Sequence, residues 1–271
     1  QRRHRATAPV LSEGRRSLIR REPVVASIAV RNLSKRYGSG TLALDDISLA
    51  IEDGEFVSVI GPSGCGKSTL LRILAELDKP TGGEIVFGSG GGTRTQLPSA
   101  VVFQEQSLFP WMRVRENVAF AFDSLPVGRD EVRERVDAQL ALVGLTQFAN
   151  AYPHELSGGM KQRVAVARAF AVDPPILFMD EPFGALDEQT RVGLAGELMA
   201  LWEKTRKTVV FVTHGIEEAV TLSDRVVVLS RQPGKIKAIV PIDFPRPRDS
   251  VAMRGDPRFG EYVVRLWELL R

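Results

Sequence analysis

The stretch "EFVSVIGPSGCGKSTLLRIL" leaves this chain few folds to choose from. Glu55 to Ile60 is a short apolar run, the kind that makes a strand covered on both faces. Leu70, Ile73, Leu74 and Leu77 then recur at i, i+3, i+4 and i+7, which predicts a helix with one apolar face. Between them, Gly61 to Ser68 satisfies G-x-x-x-x-G-K-[ST], the pattern of a loop that wraps phosphate. Its glycines let backbone N–H groups approach an anion, and the start of the following helix adds partial positive charge. Lys67 is placed to reach the β- and γ-phosphates of a nucleotide, and Ser68 to offer a hydroxyl to Mg²⁺. Pro62, Ser63, Gly64, Cys65, Gly66 and Thr69 complete the candidate cradle.

A second apolar run, "ILFMDEP", ends in two acids. Asp180 is expected beside the Mg²⁺ site, and Glu181 can orient and deprotonate a water. A second glycine-rich helix start, "LSGGMKQRVAVARA", places Ser157 as a cap and Gly158 and Gly159 where a ligand could meet free N–H groups. A chain of this size has no evident use for two phosphate grips.

Around these motifs, short β-rich runs from Ile28 to Glu55 predict an antiparallel region. "PTGGEIVFGSGGGTRTQLP" reads as a hairpin with a Gly-rich tip. Residues about 105–165 carry no clear strand, and Val132, Val136, Leu140 and Val143 mark an amphipathic helix, so a helical lobe is expected there. "VVFV" and "RVVVLS" add parallel-sheet strands. The expected fold class is α/β: a phosphate-loop core with an antiparallel β subdomain and an inserted helical lobe. The expected divisions are a basic extension over 1–27, a nucleotide-binding domain over 28–232 and a short C-terminal extension over 233–271.

Composition narrows the function further. No apolar run approaches the ~18 residues that cross a bilayer. The single cysteine excludes an intrachain disulfide and a Cys-rich zinc site. Of the net charge of +3, residues 1–23 contribute +5 from seven Arg and two Glu, so the remainder sums to −2. A basic tail on a near-neutral body is not the pattern of a dedicated nucleic-acid binder. The tail reads as a solvated, disordered extension, and a start at Gln1 rather than Met leads us to expect residues upstream.

In this order the motifs resemble those of the nucleotide-binding subunits of ABC transporters, over roughly residues 28–232. The resemblance implies an ATPase using ATP and Mg²⁺. It makes Tyr37 the aromatic residue that stacks on adenine, and Gln104 of "VVFQEQ" the glutamine that touches Mg²⁺ and the lytic water. "LSGGMKQ" is similar to the family signature, "GALD" with Asp187 to the D-loop, and His214 of "FVTH" to the histidine that contacts the γ-phosphate. Lys67, Gln104, Glu181 and His214 are thereby the catalytic candidates, and Ser68, Gln104 and Asp180 the metal candidates. His4 and His154 receive no role.

The family's arrangement also answers the question of two grips. Two chains pack head to tail, bringing Ser157, Gly158 and Gly159 of one against ATP on the phosphate loop of the other. The resemblance further implies membrane permease subunits that touch the Phe109–Met112 region. It implies a solute-binding protein acting indirectly, a place at the cytoplasmic face of the membrane, and no nucleic-acid partner. "FPWMRVRENVAFAF" and "SRQPGKIKAIVPIDFPRPRD" resemble the nitrate, sulfonate and taurine importers. The alternative is a soluble family member acting on ribosomes or DNA. Two departures stand out: Glu76 replaces a common glycine, and Gly215 replaces the usual Asp or Ser after the histidine. Cys65, beside Lys67 at a helix start, is expected to carry a lowered thiol pKa and to be alkylatable.

Overall fold

The computed structural model describes residues 26–38, 40–88, 99–104, 107–184 and 186–271. Most of the basic N-terminal stretch and the Gly-rich segment 89–98 lie outside them. In chain order the elements are β1 (Ile28–Arg36), β2 (Leu42–Ile51), β3 (Phe56–Ile60), α1 (Lys67–Leu74), β4 (Gly82–Phe87) and β5 (Ser99–Val102). Three helices follow, α2 (Val114–Ala119), α3 (Arg129–Leu142) and α4 (Gly158–Ala171). Then come β6 (Ile176–Asp180), α5 (Glu188–Thr205), β7 (Thr208–Val212), α6 (Ile216–Leu222), β8 (Arg225–Leu229), β9 (Ile236–Pro241), α7 (Ser250–Gly255) and α8 (Pro257–Leu270).

The strands form two sheets, β2-β1-β4 and β5-β6-β7-β3-β8-β9. The first is antiparallel. In the second every pairing is parallel except β8 with β9. The continuous apolar runs of β3, β6 and β7 are buried throughout, as a sheet covered on both faces requires. One face packs on α1 and the antiparallel sheet. The other packs on α4 and α5, with Trp202 edge-on to Phe56 at 5.7 Å between ring centroids. A separate apolar cluster holds α2, α3 and α4 together, with Val136, Leu140 and Val143 turned inward.

The tip and far arm of the hairpin expected from Pro80 to Pro98 lie outside the described residues. The strands on either side belong to different sheets, β4 pairing with β1 and β5 with β6. One expectation fails: Leu77 does not continue the apolar face of α1, for it is 50% exposed. Glu76 takes φ +59°, its N–H meets the Ile73 carbonyl at 3.0 Å, and the Leu77 N–H meets the Arg72 carbonyl at 2.8 Å. That is a Schellman closure, whose left-handed position favours glycine. Glu76 therefore occupies the conformation that a glycine would hold for about 1–2 kcal/mol less.

The C-terminal stretch is built into the core: β9, α7 and α8 pack on β8 and α6 through Val240, Phe244, Phe259 and Leu266. Two arginines lock it. Arg246 stacks over Trp202 at 4.0 Å and donates to Asp224 and to the Leu222 carbonyl at 2.7 Å. Arg248, its side chain 2% exposed, donates to the carbonyls of Thr221, Ser223, Ile242 and Phe244 at 2.8–3.3 Å. Thr221, Leu222 and Ser223 end α6, so the guanidiniums satisfy carbonyls that a helix terminus leaves open. Burial lowers Arg248 to about 10, still charged at neutral pH.

Candidate active site

β5, β6, β7 and β3 are neighbours in the sheet, and the functional side chains leave their carboxyl ends. Gln104 follows β5, Asp180 closes β6, His214 follows β7, and the phosphate loop follows β3. Ligands in open α/β sheets bind at that edge. Gly64 and Gly66 adopt φ +74° and +103°, and a Cβ on Gly66 would lie 2.7 Å from Leu44 Cδ2. The loop is thus drawn onto the antiparallel sheet at a point only glycine permits. Lys67 is buried, its Nζ donating to the Gly61 and Pro62 carbonyls at 2.9 and 3.2 Å, which arches it back over the loop.

Ser68 Oγ donates to Asp180 Oδ1 at 3.0 Å. Burial pushes the Asp180 carboxyl up, with Ser68 opposing and the nearby Glu181 adding to the rise. A desolvated carboxylate beside a neutral hydroxyl is the donor set a hard divalent cation suits. Among the described residues no cluster of three or more His, Cys, Asp or Glu is placed to hold a metal ion.

Glu181 sits at φ +45°, its N–H bonded to the Val212 carbonyl at 2.8 Å. Its Oε2 lies 3.3 Å from Gln104 Nε2 and 3.3 Å from His214 Nδ1. A carboxylate held in a left-handed backbone by the neighbouring strand is strained in a way usual at functional sites. A cavity of about 380 Å³ brings Glu181, Gln104, Lys67, Ser68, Thr69 and Tyr37 together. Tyr37 is 41% exposed at its rim, its hydroxyl 3.2 Å from Thr69 Oγ1. Thr41 and Gln232 also line it. No motif marks either; Gln232 arrives because Gly234 pairs with Leu44 and its N–H meets the Ala43 carbonyl at 2.9 Å.

The remaining candidates lie elsewhere. Ser157, Gly158 and Gly159 are not in the cavity lining. Ser157 caps α4, accepting the Met160 N–H at 3.3 Å, and both Ser157 and Gly158 face outward. A Cβ on Gly159 would stand 2.8 Å from Thr190 Cγ2, so packing on α5 already requires that glycine. Asp187 caps α5 through the Thr190 N–H at 3.0 Å and hydroxyl at 2.7 Å. His214 borders a different hollow, between α5, α6 and α8. Phe109 packs on Phe120 with ring centroids 4.5 Å apart and planes tilted by 59°, while Trp111 stands 70% exposed beside it. The buried Asn117, which the sequence did not single out, holds that loop through the carbonyls of Phe109, Met112 and Arg113.

Cys65 reverses its expectation. It is 1% exposed, and burial raises its thiol pKa more than the Lys67 charge lowers it. Its side chain turns under the loop, so close that a Cβ on Gly61 would meet its Sγ at 2.6 Å. The folded chain is expected to resist maleimide at neutral pH and to react fully once denatured. Equal labelling of folded and denatured chains would contradict this burial.

The family model for ABC transporters matches residues 44–184. The chain belongs to the ABC transporter family. It is an ATP-binding ATPase subunit, and none of its described helices is long and apolar enough to cross a membrane. It is 50% identical over 240 residues to an ATP-binding protein of Brucella abortus, covering 89% of this chain and 92% of that one. It is 47% identical to the nitrate import ATP-binding protein NrtC of Synechococcus elongatus over 82% of this chain, which spans about a third (34%) of NrtC. The dimeric post-hydrolysis structure of the cassette MJ0796, bound to ADP and Pi, superposes with a TM-score of 0.69 at 35% identity. That match covers 80% of this chain and all (100%) of the cassette.

Proposed function

We propose that this chain is the energy-coupling subunit of an importer for nitrate, a sulfonate, taurine or a related small solute. The observation that carries the catalytic part is the placement of Glu181 between Gln104 and His214 at the mouth of the phosphate-loop cavity. Glu181 takes a proton from water as the water oxygen bonds to the γ-phosphorus and the bridging P–O bond to ADP breaks. Gln104 orients that water, and His214 and Lys67 hold the γ-phosphate oxygens. Tyr37 stacks on adenine. Ser68, Asp180 and Gln104 would hold Mg²⁺, which when bound neutralises charge on the phosphates.

The outward-facing Ser157 and Gly158 support a site completed by a second copy of the chain, whose Ser157–Gly159 closes over this chain's ATP. Asp187, at the start of α5, sits at that seam. Trp111 and its neighbours are the surface for a permease at the cytoplasmic face of the membrane. A solute-binding protein acts through the permease, and the near-neutral body leaves nucleic acid without a role. The likeness to NrtC supports an importer over a soluble ATPase of ribosomes or DNA.

Affinity capture of the tagged chain from gently solubilised membranes tests the importer reading. A multi-span membrane protein is expected to co-purify and to be lost on Trp111→Glu. Recovery of soluble partners alone would overturn it.

A further inference from the structure

His214 is more than half exposed, its side chain 56% accessible, so its place depends on the backbone that carries it. That backbone is clamped from behind. Thr213, at 2% exposure, donates its hydroxyl to Glu218 Oε2 at 2.5 Å and accepts the Gly215 N–H at 2.9 Å. One hydroxyl thus bridges the residues on either side of His214. Glu218 decides which way that hydroxyl points, because a carboxylate can only accept.

The other oxygen of Glu218 faces Arg191 Nε at 3.3 Å. Arg191 belongs to the first turn of α5, pairs with Glu188 at 3.2 Å, and donates to the Leu186 carbonyl at 3.0 Å. Leu186 and Glu188 flank Asp187, on the segment that leaves Glu181. The Glu218 carboxylate is 11% exposed, and burial raises its pKa against the pull of Thr213 and Arg191. Gly215 makes room for it: a Cβ there would stand 2.8 Å from Glu218 Cδ. Since Gly215 has φ −83°, the backbone itself would accept alanine, so space for Glu218 is what the glycine supplies.

We propose that Glu218 and Arg191 form a positioning pair for ATP hydrolysis, setting His214 against Glu181 and tying it to the Leu186–Glu188 segment. This rests on the reading of His214 as a γ-phosphate contact. A shift of His214 when that phosphate leaves then passes through Thr213, Glu218 and Arg191 to the segment around Asp187, where the second copy is expected.

Steady-state ATPase of the purified full chain tests the pair, using Glu218→Ala, Glu218→Gln, Gly215→Ala, Glu217→Gln and His214→Ala. Displacement of a reacting group by about 1 Å can cost about 100-fold, so Glu218→Ala is expected to lose roughly 10- to 100-fold in kcat. Its KM for ATP should stay within about threefold, since the phosphate loop is untouched. Gly215→Ala should reproduce the loss by pushing the carboxylate aside. Glu218→Gln keeps an acceptor for Thr213 and should recover much of the rate, and Glu217→Gln, on the exposed side of α6, should match the wild type. Wild-type kcat in both Glu218→Ala and Gly215→Ala, with His214→Ala impaired, would overturn the pair while leaving the role of His214 standing. Wild-type kcat in His214→Ala would remove the reading beneath it.

Discussion

Glu181→Gln is expected to lower the ATPase kcat by about 100- to 1,000-fold, the range over which a general base contributes. The substitution is nearly isosteric, and an amide can still meet Gln104 and His214, which lie 3.3 Å from the Glu181 carboxylate. It cannot take a proton from water. On the proposed reading nucleotide is held by Lys67, Ser68 and the loop, whose contacts to Gly61 and Asp180 do not run through Glu181, so the affinity for ATP should hold. With hydrolysis blocked and binding intact, ATP should accumulate a dimer that separates on gel filtration without nucleotide. Equilibrium binding, single-turnover hydrolysis and sizing with and without ATP check the three parts. A kcat within tenfold of wild type would remove Glu181 from the role of base.

Arg248→Met is expected to destabilise the fold by about 3 kcal/mol, the cost of orphaning buried carbonyls less the relief of no longer burying a charge. Methionine keeps the aliphatic stem, so the loss reports the hydrogen bonds to Thr221, Ser223, Ile242 and Phe244 rather than a cavity. In a domain of this size that lowers Tm by about 6–12 °C. Arg31→Met is the contrast: Arg31 pairs with Glu84 at 2.9 Å but is 66% exposed. Such a pair is worth about 1 kcal/mol at most. Equal melting of the two variants would show that the C-terminal stretch is not held through Arg248. Because α6 runs from Gly215 to the carbonyls that Arg246 and Arg248 cap, loosening that end is also expected to blunt the placement of His214.

What could be read along the chain was whatever one contiguous stretch encodes. The strand, loop and helix from Phe56 to Leu74 declare themselves because their spacing is chemistry as well as geometry. The apolar runs of β6 and β7 do so because a strand covered on both faces has no polar alternation to hide it. The acids closing β6 marked Asp180 and Glu181, and family likeness put names to Gln104 and His214, in order but without distances. Glu76 shows a local rule at work against its residue type, since the Schellman closure demands φ +59° whichever side chain is present.

Only the tertiary structure decided what pairing across long separations decides. β4 and β5 are consecutive strands, yet each pairs elsewhere, β4 with β1 and β5 with β6, so the two belong to different sheets. Gln104, Glu181 and His214 converge because β5, β6 and β7 lie side by side in parallel register, a fact that no window of sequence contains. Cys65 looked activated from its neighbours in sequence. The loop turns its sulfur inward, and in that setting desolvation outweighs one nearby charge. No motif marks Arg248; its role exists only because the fold brings its buried guanidinium to the carbonyls at the end of α6.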